Sequence, residues 1–281
     1  MVAGTARSGT TWLAELIASQ LPCRIMFEPF NPRKVREFHQ FHYFQYMRPT
    51  DRDNELRSFC QSVFSGDIRN GWIDREISLL RPQYRLIKEV RANLFLKWID
   101  TEFPEVPLLF IVRHPCAVVA SRMKLGWATD TDIQPFLAQR KLVQDHLTDH
   151  RNLISQVRTP EEKHALIWCI SNLVPLRQFR AGELTIVFYE NLCLQPEVEI
   201  RRIFQTLGHE YRDSVYDAML APSRTTVDRS AVVSGAHRPG GWRQALPSRQ
   251  IGRILAVVEA FGLDHLYGDS ALPLAQAKAT G

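Results

Sequence analysis

Residues Gly4-Thr5-Ala6-Arg7-Ser8-Gly9-Thr10-Thr11-Trp12, running into Leu13-Ala14-Glu15-Leu16-Ile17, decide how the chain is read. Two glycines bracket small and basic residues, two threonines follow, and a helical apolar pattern begins. A tight turn of this composition turns backbone N–H groups toward an anion and feeds a helix N-terminus, which favours negative charge. The ATP-type loop reads G-x-x-x-x-G-K-[ST]. Here Gly4 and Gly9 hold the glycine positions and Thr11 the hydroxyl position, but Thr10 stands where the lysine belongs. The positive charge lies inside the loop, at Arg7. The missing lysine is the group that reaches the β- and γ-phosphates. The loop is therefore poorly equipped for γ-phosphoryl transfer and suited to a shorter anion. A plain strand-to-helix turn with a chance glycine pair is the competing reading.

Outward from the loop, Thr11 to Gln20 has helical periodicity, stopped by Pro22, and Cys23 to Phe27 reads as a short strand. Only Val2-Ala3 are left as the strand feeding the loop, so that strand is very short or cut back. Glu28-Pro29-Phe30-Asn31-Pro32 follows, and its two prolines impose extended or turn geometry. Glu28 thus falls at a strand end, where open parallel sheets bind ligands. Residues 34–71, with Phe38, His39, Phe41, His42, Tyr43, Phe44 and Tyr46, read as a helical insertion. It forms either one wall of an acceptor site or a packed helical layer.

Arg85 to Lys88 reads as a strand ending in Lys88-Glu89-Val90-Arg91, with an amphipathic helix over Ala92 to Phe103. Val106 to Val112 is the apolar run of a strand buried on both faces. It ends in Arg113-His114-Pro115, and Pro115 starts a helix over Cys116 to Met123. Leu184 to Phe188 is a further strand before Tyr189-Glu190-Asn191-Leu192. Glu197 to Leu207 is a helix stopped by Gly208, and Arg249 to Phe261 a last one stopped by Gly262. Between them, Ser230 to Trp242 is a glycine-rich basic loop. Strands alternating with helices predict an α/β fold: a P-loop-type three-layer α/β/α sandwich with a central parallel sheet and helical insertions. Residues 1–268 are read as one domain and 269–281 as a loose tail.

The 281 residues, 45% hydrophobic, can bury a sizeable core. A net charge of +5 and a pI near 9.0 fit an anionic ligand, but the basic residues are scattered, which argues against nucleic acid. The five cysteines are odd in number and widely spaced, with no C-x-x-C pair, so zinc is not expected and a reducing compartment is. The longest apolar run, Ala165 to Leu176, is interrupted by Ser171, Asn172 and Pro175, so no span is expected. With the loop opening the sequence directly, no leader is expected either, and the protein is read as cytoplasmic.

Three anion-binding features fall at one edge of the expected sheet: the loop with Arg7, Ser8, Thr10 and Thr11; Arg113 with Ser121 on the next helix; and the basic loop before Trp242. Two separate phosphate sites suit a nucleotide phosphorylated at both ends of its ribose. A nucleoside triphosphatase would end its buried strand in Asp for magnesium; this strand ends in arginine.

On these residues the chain resembles the PAPS-dependent sulfotransferases, whose donor is 3′-phosphoadenosine-5′-phosphosulfate. Arg7-Ser8-Gly9-Thr10-Thr11-Trp12 resembles the family's 5′-phosphosulfate loop. Arg113-His114-Pro115 through Ser121-Arg122 resembles its 3′-phosphate motif, with His114 where Asp is usual. Phe188 to Leu192, with Pro196 and Gly208, resembles its Y-E-[DN]-L segment, and Gly240-Gly241-Trp242 its closing G-x-W. Phe27-Glu28-Pro29 and Lys88-Glu89-Val90-Arg91 resemble the E-P and K-x-[VL]-R segments of the carbohydrate-type branch; the phenol and steroid branch would show K-T-H there. The R-K-G part of the closing loop is missing, which leaves Arg238 as its nearest cation.

The resemblance implies in-line sulfuryl transfer to a hydroxyl, with 3′,5′-ADP as product and no metal. Glu28 is the implied general base; an ion pair with Arg7 or Arg91 is its other reading. Arg7 is implied to stabilise the leaving phosphate, and Ser8, Gly9, Thr10, Thr11 and Trp12 to hold the 5′ end. Arg113 and Ser121 take the 3′-phosphate, and Arg238, Gly240 and Gly241 close over the nucleotide. Lys88 reaches the sulfuryl group or the acceptor, or pairs with Glu89 or another carboxylate. Trp12 and Trp242 are adenine platforms or core. A P-loop kinase and a non-catalytic nucleotide or polyanion binder are the rival functions. The acceptor, a carbohydrate, lipid or small-molecule alcohol, is not written in the motifs.

Overall fold

Five short strands make one wholly parallel sheet: β1 (Val2–Gly4), β2 (Cys23–Phe27), β3 (Tyr84–Glu89), β4 (Leu109–Val112) and β5 (Thr185–Phe188), in the order β2-β3-β1-β4-β5. The computed structural model describes residues 1–75, 82–127, 130–221 and 239–274. Parallel neighbours require crossover connections, and helices supply them. The principal ones are α1 (Thr10–Ala18), α2 (Asn54–Ser65), α3 (Leu96–Glu102), α4 (Pro115–Lys124), α5 (Pro160–Gln178), α6 (Pro196–Leu207), α7 (Ser214–Leu220) and α8 (Ser248–Ala260).

Strand side chains alternate between faces, and the buried core divides accordingly. Val2, Ile25, Leu86, Leu109 and Ile111 join a cluster with α1, α6 and α7. Their neighbours Ala3, Met26, Ile87, Phe110 and Val112 join a larger cluster with α2, α3, α4, α5 and α8. The sheet is thus covered on both sides, as the unbroken apolar run before Arg113 predicts. Helix α5 contains the apolar stretch 165–174, buried throughout, and continues through Pro175. A helix apolar on every side belongs inside a core. Among the described residues, no helix is long and apolar enough to cross a membrane.

Register fixes the working edge. Phe27 pairs with Lys88, Ala3 with Glu89, Gly4 with Ile111 and Val112 with Phe188. The carboxyl ends of all five strands therefore open on one side, carrying the 4–11 loop, Glu28, Lys88, Arg113 and Tyr189.

Three sequence expectations need correction. Residues 34–71 hold one long helix, α2, and a single 3-10 turn at Arg36–Phe38. The aromatics from Phe41 to Tyr46 lie in irregular chain, because their apolar rings serve tertiary contacts and not a helical stripe: Phe44 stacks on Phe136 at 4.4 Å. The helix expected over 92–103 opens as a 3-10 turn at Asn93–Phe95 before α3. In the segment read as a loose tail, residues 269–274 bond to the fold, Ser270 through its carbonyl to His114 and Leu274 through its N–H to Leu266. Residues 275–281 lie outside the described part.

Candidate active site

The 4–11 loop joins β1 to α1, with Gly9 as the N-cap at φ 100°. Its Ser8 N–H donates to the Thr5 carbonyl at 3.1 Å, and the Thr5 and Ser8 hydroxyls bond to one another. Both glycines are needed. A Cβ on Gly4 would stand 2.5 Å from the Ile111 carbonyl oxygen, and one on Gly9 2.8 Å from the Tyr189 ring. Arg7 sits at the loop's tip with φ 77°.

Helix α4 and Arg113 just before it strap this loop. Arg7 Nε donates to Ser121 Oγ at 2.9 Å, Arg113 donates to the Arg7 carbonyl at 3.2 Å, and Arg122 to the Ala6 carbonyl at 3.3 Å. Arg113 is itself fixed: its carbonyl accepts from Trp168 Nε1 at 3.0 Å, and its guanidinium lies 4.1 Å from the Tyr189 ring centroid. The two motifs that the sequence holds more than a hundred residues apart thus meet at one point. Burial first, and the adjacent Arg113 charge second, hold the Arg7 guanidinium below its usual pKa. Arg113 Nε is buried with no hydrogen-bond partner. Crowded cations and an unused donor at a glycine turn are what an anion would complete.

The second half of the site stands at β2 and β3. Glu28 is buried, its carboxylate held by Lys88 Nζ on Oε1 and by Arg91 on Oε2, each at 2.5 Å. Burial acts to raise its pKa, but Lys88 and then Arg91 outweigh burial and leave it lower than usual. The carboxyl is accordingly ionised near neutrality. Of the pairings left open by the sequence, Glu28 takes Arg91, and Lys88 takes Glu28 and not Glu89. Glu28 also has φ 46°. Among the described residues, Arg7 and Glu28 are the two non-glycine positions with positive φ. Such backbone is costly and persists where surrounding contacts enforce it.

Three groups that the sequence named only as members of longer stretches support these residues. Glu89, fully buried, accepts backbone N–H groups from Phe30, Val90 and Arg91, tying the Glu28 loop to the end of β3; burial raises its pKa. Glu190 accepts from the His114 N–H at 3.0 Å and the Tyr267 hydroxyl at 2.6 Å, fixing the corner that carries Arg113. Tyr43 accepts from Arg91 at 2.8 Å. The available signal for the two glutamates was a carboxylate inside an apolar strand end, which requires local N–H donors once buried.

His114 caps helix α4: its Nδ1 accepts from the Cys116 N–H. The opposite nitrogen bonds the Gly268 and Ser270 carbonyls, so the ring is a neutral Nε2–H tautomer. Trp12 and Trp242 are both buried, on Tyr189 and His114 respectively. Thr10 and Thr11 are buried in the first turn of α1. Gly240 and Gly241 precede Trp242, while Arg238 lies outside the described residues. Among the described residues, no group of His, Cys, Asp and Glu side chains could hold a metal ion.

The sequence matches the sulfotransferase family over residues 1–213, and the chain belongs to that family. No curated protein sequence matches it. Similar solved structures include the sulfotransferase domain from the curacin biosynthetic pathway, at 14% identity and TM-score 0.48 over 93% of this chain and 96% of that one. The sulfotransferase domain of the Synechococcus PCC 7002 olefin synthase follows at 18% identity and TM-score 0.48, covering 93% of each chain. The mouse sulfotransferase SULT7A1 complexed with PAP shares 16% identity at TM-score 0.46, over 96% of this chain and 84% of that one.

Proposed function

We propose that the chain transfers a sulfuryl group from 3′-phosphoadenosine-5′-phosphosulfate to a hydroxyl acceptor. The observation that carries this reading is the junction of Arg7, Ser121 and Arg113 at the carboxyl ends of β1 and β4. One doubly phosphorylated nucleotide can touch both arginines there. Loop residues Ser8 to Thr11 and the α1 N-terminus bind the 5′ end, Arg113 and Ser121 the 3′-phosphate, and Gly240 and Gly241 flank the closing segment. The bound donor supplies the sulfur: the acceptor oxygen bonds to it as its bond to the 5′-phosphate breaks, the electron pair leaving with the phosphate.

Arg7 neutralises charge growing on that phosphate, a role in which positioned cations lower the barrier most. Glu28 takes the acceptor proton. Lys88 and Arg91 occupy one site on each of its oxygens, and a carboxylate has about four in all. They keep it ionised and aimed, at some cost in basicity. The E-P and K-x-[VL]-R segments favour a carbohydrate-type acceptor within the family.

A thermal shift comparison tests the assignment. Strong stabilisation by 3′,5′-ADP, with little from AMP or Mg-ATP, is expected. Stabilisation by Mg-ATP alone points to a kinase. The doubly paired Glu28 favours a second reading, a binder without turnover; donor binding with no transfer to any hydroxyl would establish it.

A further inference from the structure

The β2–β3 side of the site carries cations that the donor does not account for. Arg33 lies 4.1 Å from the Tyr43 ring centroid, and Tyr43 accepts from the Arg91 that holds Glu28. Lys34 lies 5.6 Å from the Trp72 ring, whose Nε1 donates to the Glu28 carbonyl at 3.3 Å. Arg75 covers Phe27 at 4.6 Å and Trp72 at 5.0 Å. Arg33, Lys34 and Arg75 are exposed, and the Tyr43 and Trp72 rings beneath them are half-buried. Each chain of contacts leads back to Glu28.

Resting on the transferase reading, we propose that the acceptor is itself an anion: its reacting hydroxyl belongs to a molecule carrying a carboxylate, phosphate or sulfate group, held by Arg33 and Lys34 over Tyr43 and Trp72. Charge makes the case. Arg7 and Arg113 serve the donor at β1 and β4. Lys88 and Arg91 are engaged by Glu28, with the Glu89 carboxyl buried beside them, so that cluster supplies no spare cation for the acceptor. The nearby Asp74 is paired with Arg24 at 2.6 Å. Arg33 and Lys34 have no carboxylate partner among the described residues.

A cation resting on an aromatic face is held in place without losing its charge. Its guanidinium edge remains available for a fork of hydrogen bonds to an oxyanion. A neutral alcohol would make no use of these heads. An anionic one must enter beside a strongly anionic donor, and surplus positive charge on its own side of the sheet offsets that repulsion.

The test uses the full chain saturated with 3′,5′-ADP and acceptor probes in matched pairs: 4-hydroxybenzoate with its amide, glycerol 3-phosphate with glycerol, and glucose 6-sulfate with glucose. Calorimetric dissociation constants are measured on this complex, and transfer rates in separate assays with labelled donor and no added 3′,5′-ADP. At least one acid should bind about tenfold tighter than its neutral partner, the size of one charged hydrogen bond, and which pair does so names the anion. Arg33→Gln with Lys34→Gln should bring that ratio to within about twofold of unity and raise KM for the acid more than it lowers kcat. Equal binding within every pair, or a preference that survives the double substitution, overturns the proposal. A wild-type chain that 3′,5′-ADP fails to stabilise instead sinks the transferase reading itself.

Discussion

Arg7 and Ser121 are joined by a hydrogen bond of 2.9 Å from Nε to Oγ, across 114 residues of sequence. The bond makes the serine a guide for the arginine, in addition to the phosphate-binding role proposed for it. Arg7 is held at positive φ on a turn, where its side chain needs an external brace. Ser121→Ala should therefore lower kcat as well as donor affinity. A neutral hydrogen bond contributes about 0.5–1.5 kcal/mol, so a fall of roughly two- to tenfold in each is expected. Arg7→Lys, which lacks the Nε–H, should reproduce the kcat loss. Steady-state kinetics with saturating acceptor and calorimetry with 3′,5′-ADP give both numbers; an affinity loss with kcat unchanged would assign Ser121 to the phosphate alone.

Glu28→Gln separates the base from the ion-pair partner. As a base, Glu28 supplies roughly 10²–10⁴ of the rate, and its loss leaves 3′,5′-ADP binding nearly intact. The substitution also strips the counter-charge from Lys88 and Arg91. Breaking a buried pair from one side typically costs about 3–5 kcal/mol, so the melting temperature should fall too. Turnover measured well below that temperature, on protein shown to bind the nucleotide, isolates the chemical effect. Near-normal turnover removes Glu28 from the role of base.

The sheet was legible chiefly through β4, where the apolar run Leu109 to Val112 stops at Arg113, and through β2, which stops at Glu28-Pro29. The loop was legible because only glycine fits Gly4 and Gly9, against Ile111 and Tyr189. Which motifs would converge followed from parallel topology. The pairing inside the site did not. Lys88 and Glu89 are adjacent in sequence, but neighbours on a strand point to opposite faces, so Lys88 finds Glu28, just past the end of the neighbouring strand β2. The 38–46 aromatics misled for a related reason. Ring-rich composition signals burial without fixing the backbone that delivers it.

Arg113→Ala should discriminate between nucleotides. Its guanidinium holds the Arg7 carbonyl and faces Tyr189, with Nε buried and unpaired. Losing a charged hydrogen-bond partner costs about 1.5–3 kcal/mol, which is roughly ten- to a hundredfold in 3′,5′-ADP affinity. AMP, lacking the 3′-phosphate, should lose far less. Equal losses for both would mean that Arg113 only braces the loop.

His114 gives the fold a predictable acid limit. Burial is the main reason its pKa falls to about 4; Arg243 and Arg113 add to this, and the Gly268 and Ser270 carbonyls oppose it. An unfolded histidine titrates near 6.5. Between these values the unfolded chain binds a proton that the folded chain refuses, so stability rises with pH across that window. Stability from the neutral ring is complete above about pH 6.5 and is lost as pH falls toward 4, by about 3 kcal/mol at most. His164, also buried and near 4, acts in the same direction. His114→Ala gives up the Cys116 cap, at about 1 kcal/mol, and should flatten part of the decline between pH 6.5 and 4.5, the rest coming from His164, His146 and His150, which are lowered too. Urea melts of both proteins across that range measure the slope, and parallel curves for the two would show that His114 is not the titrating group.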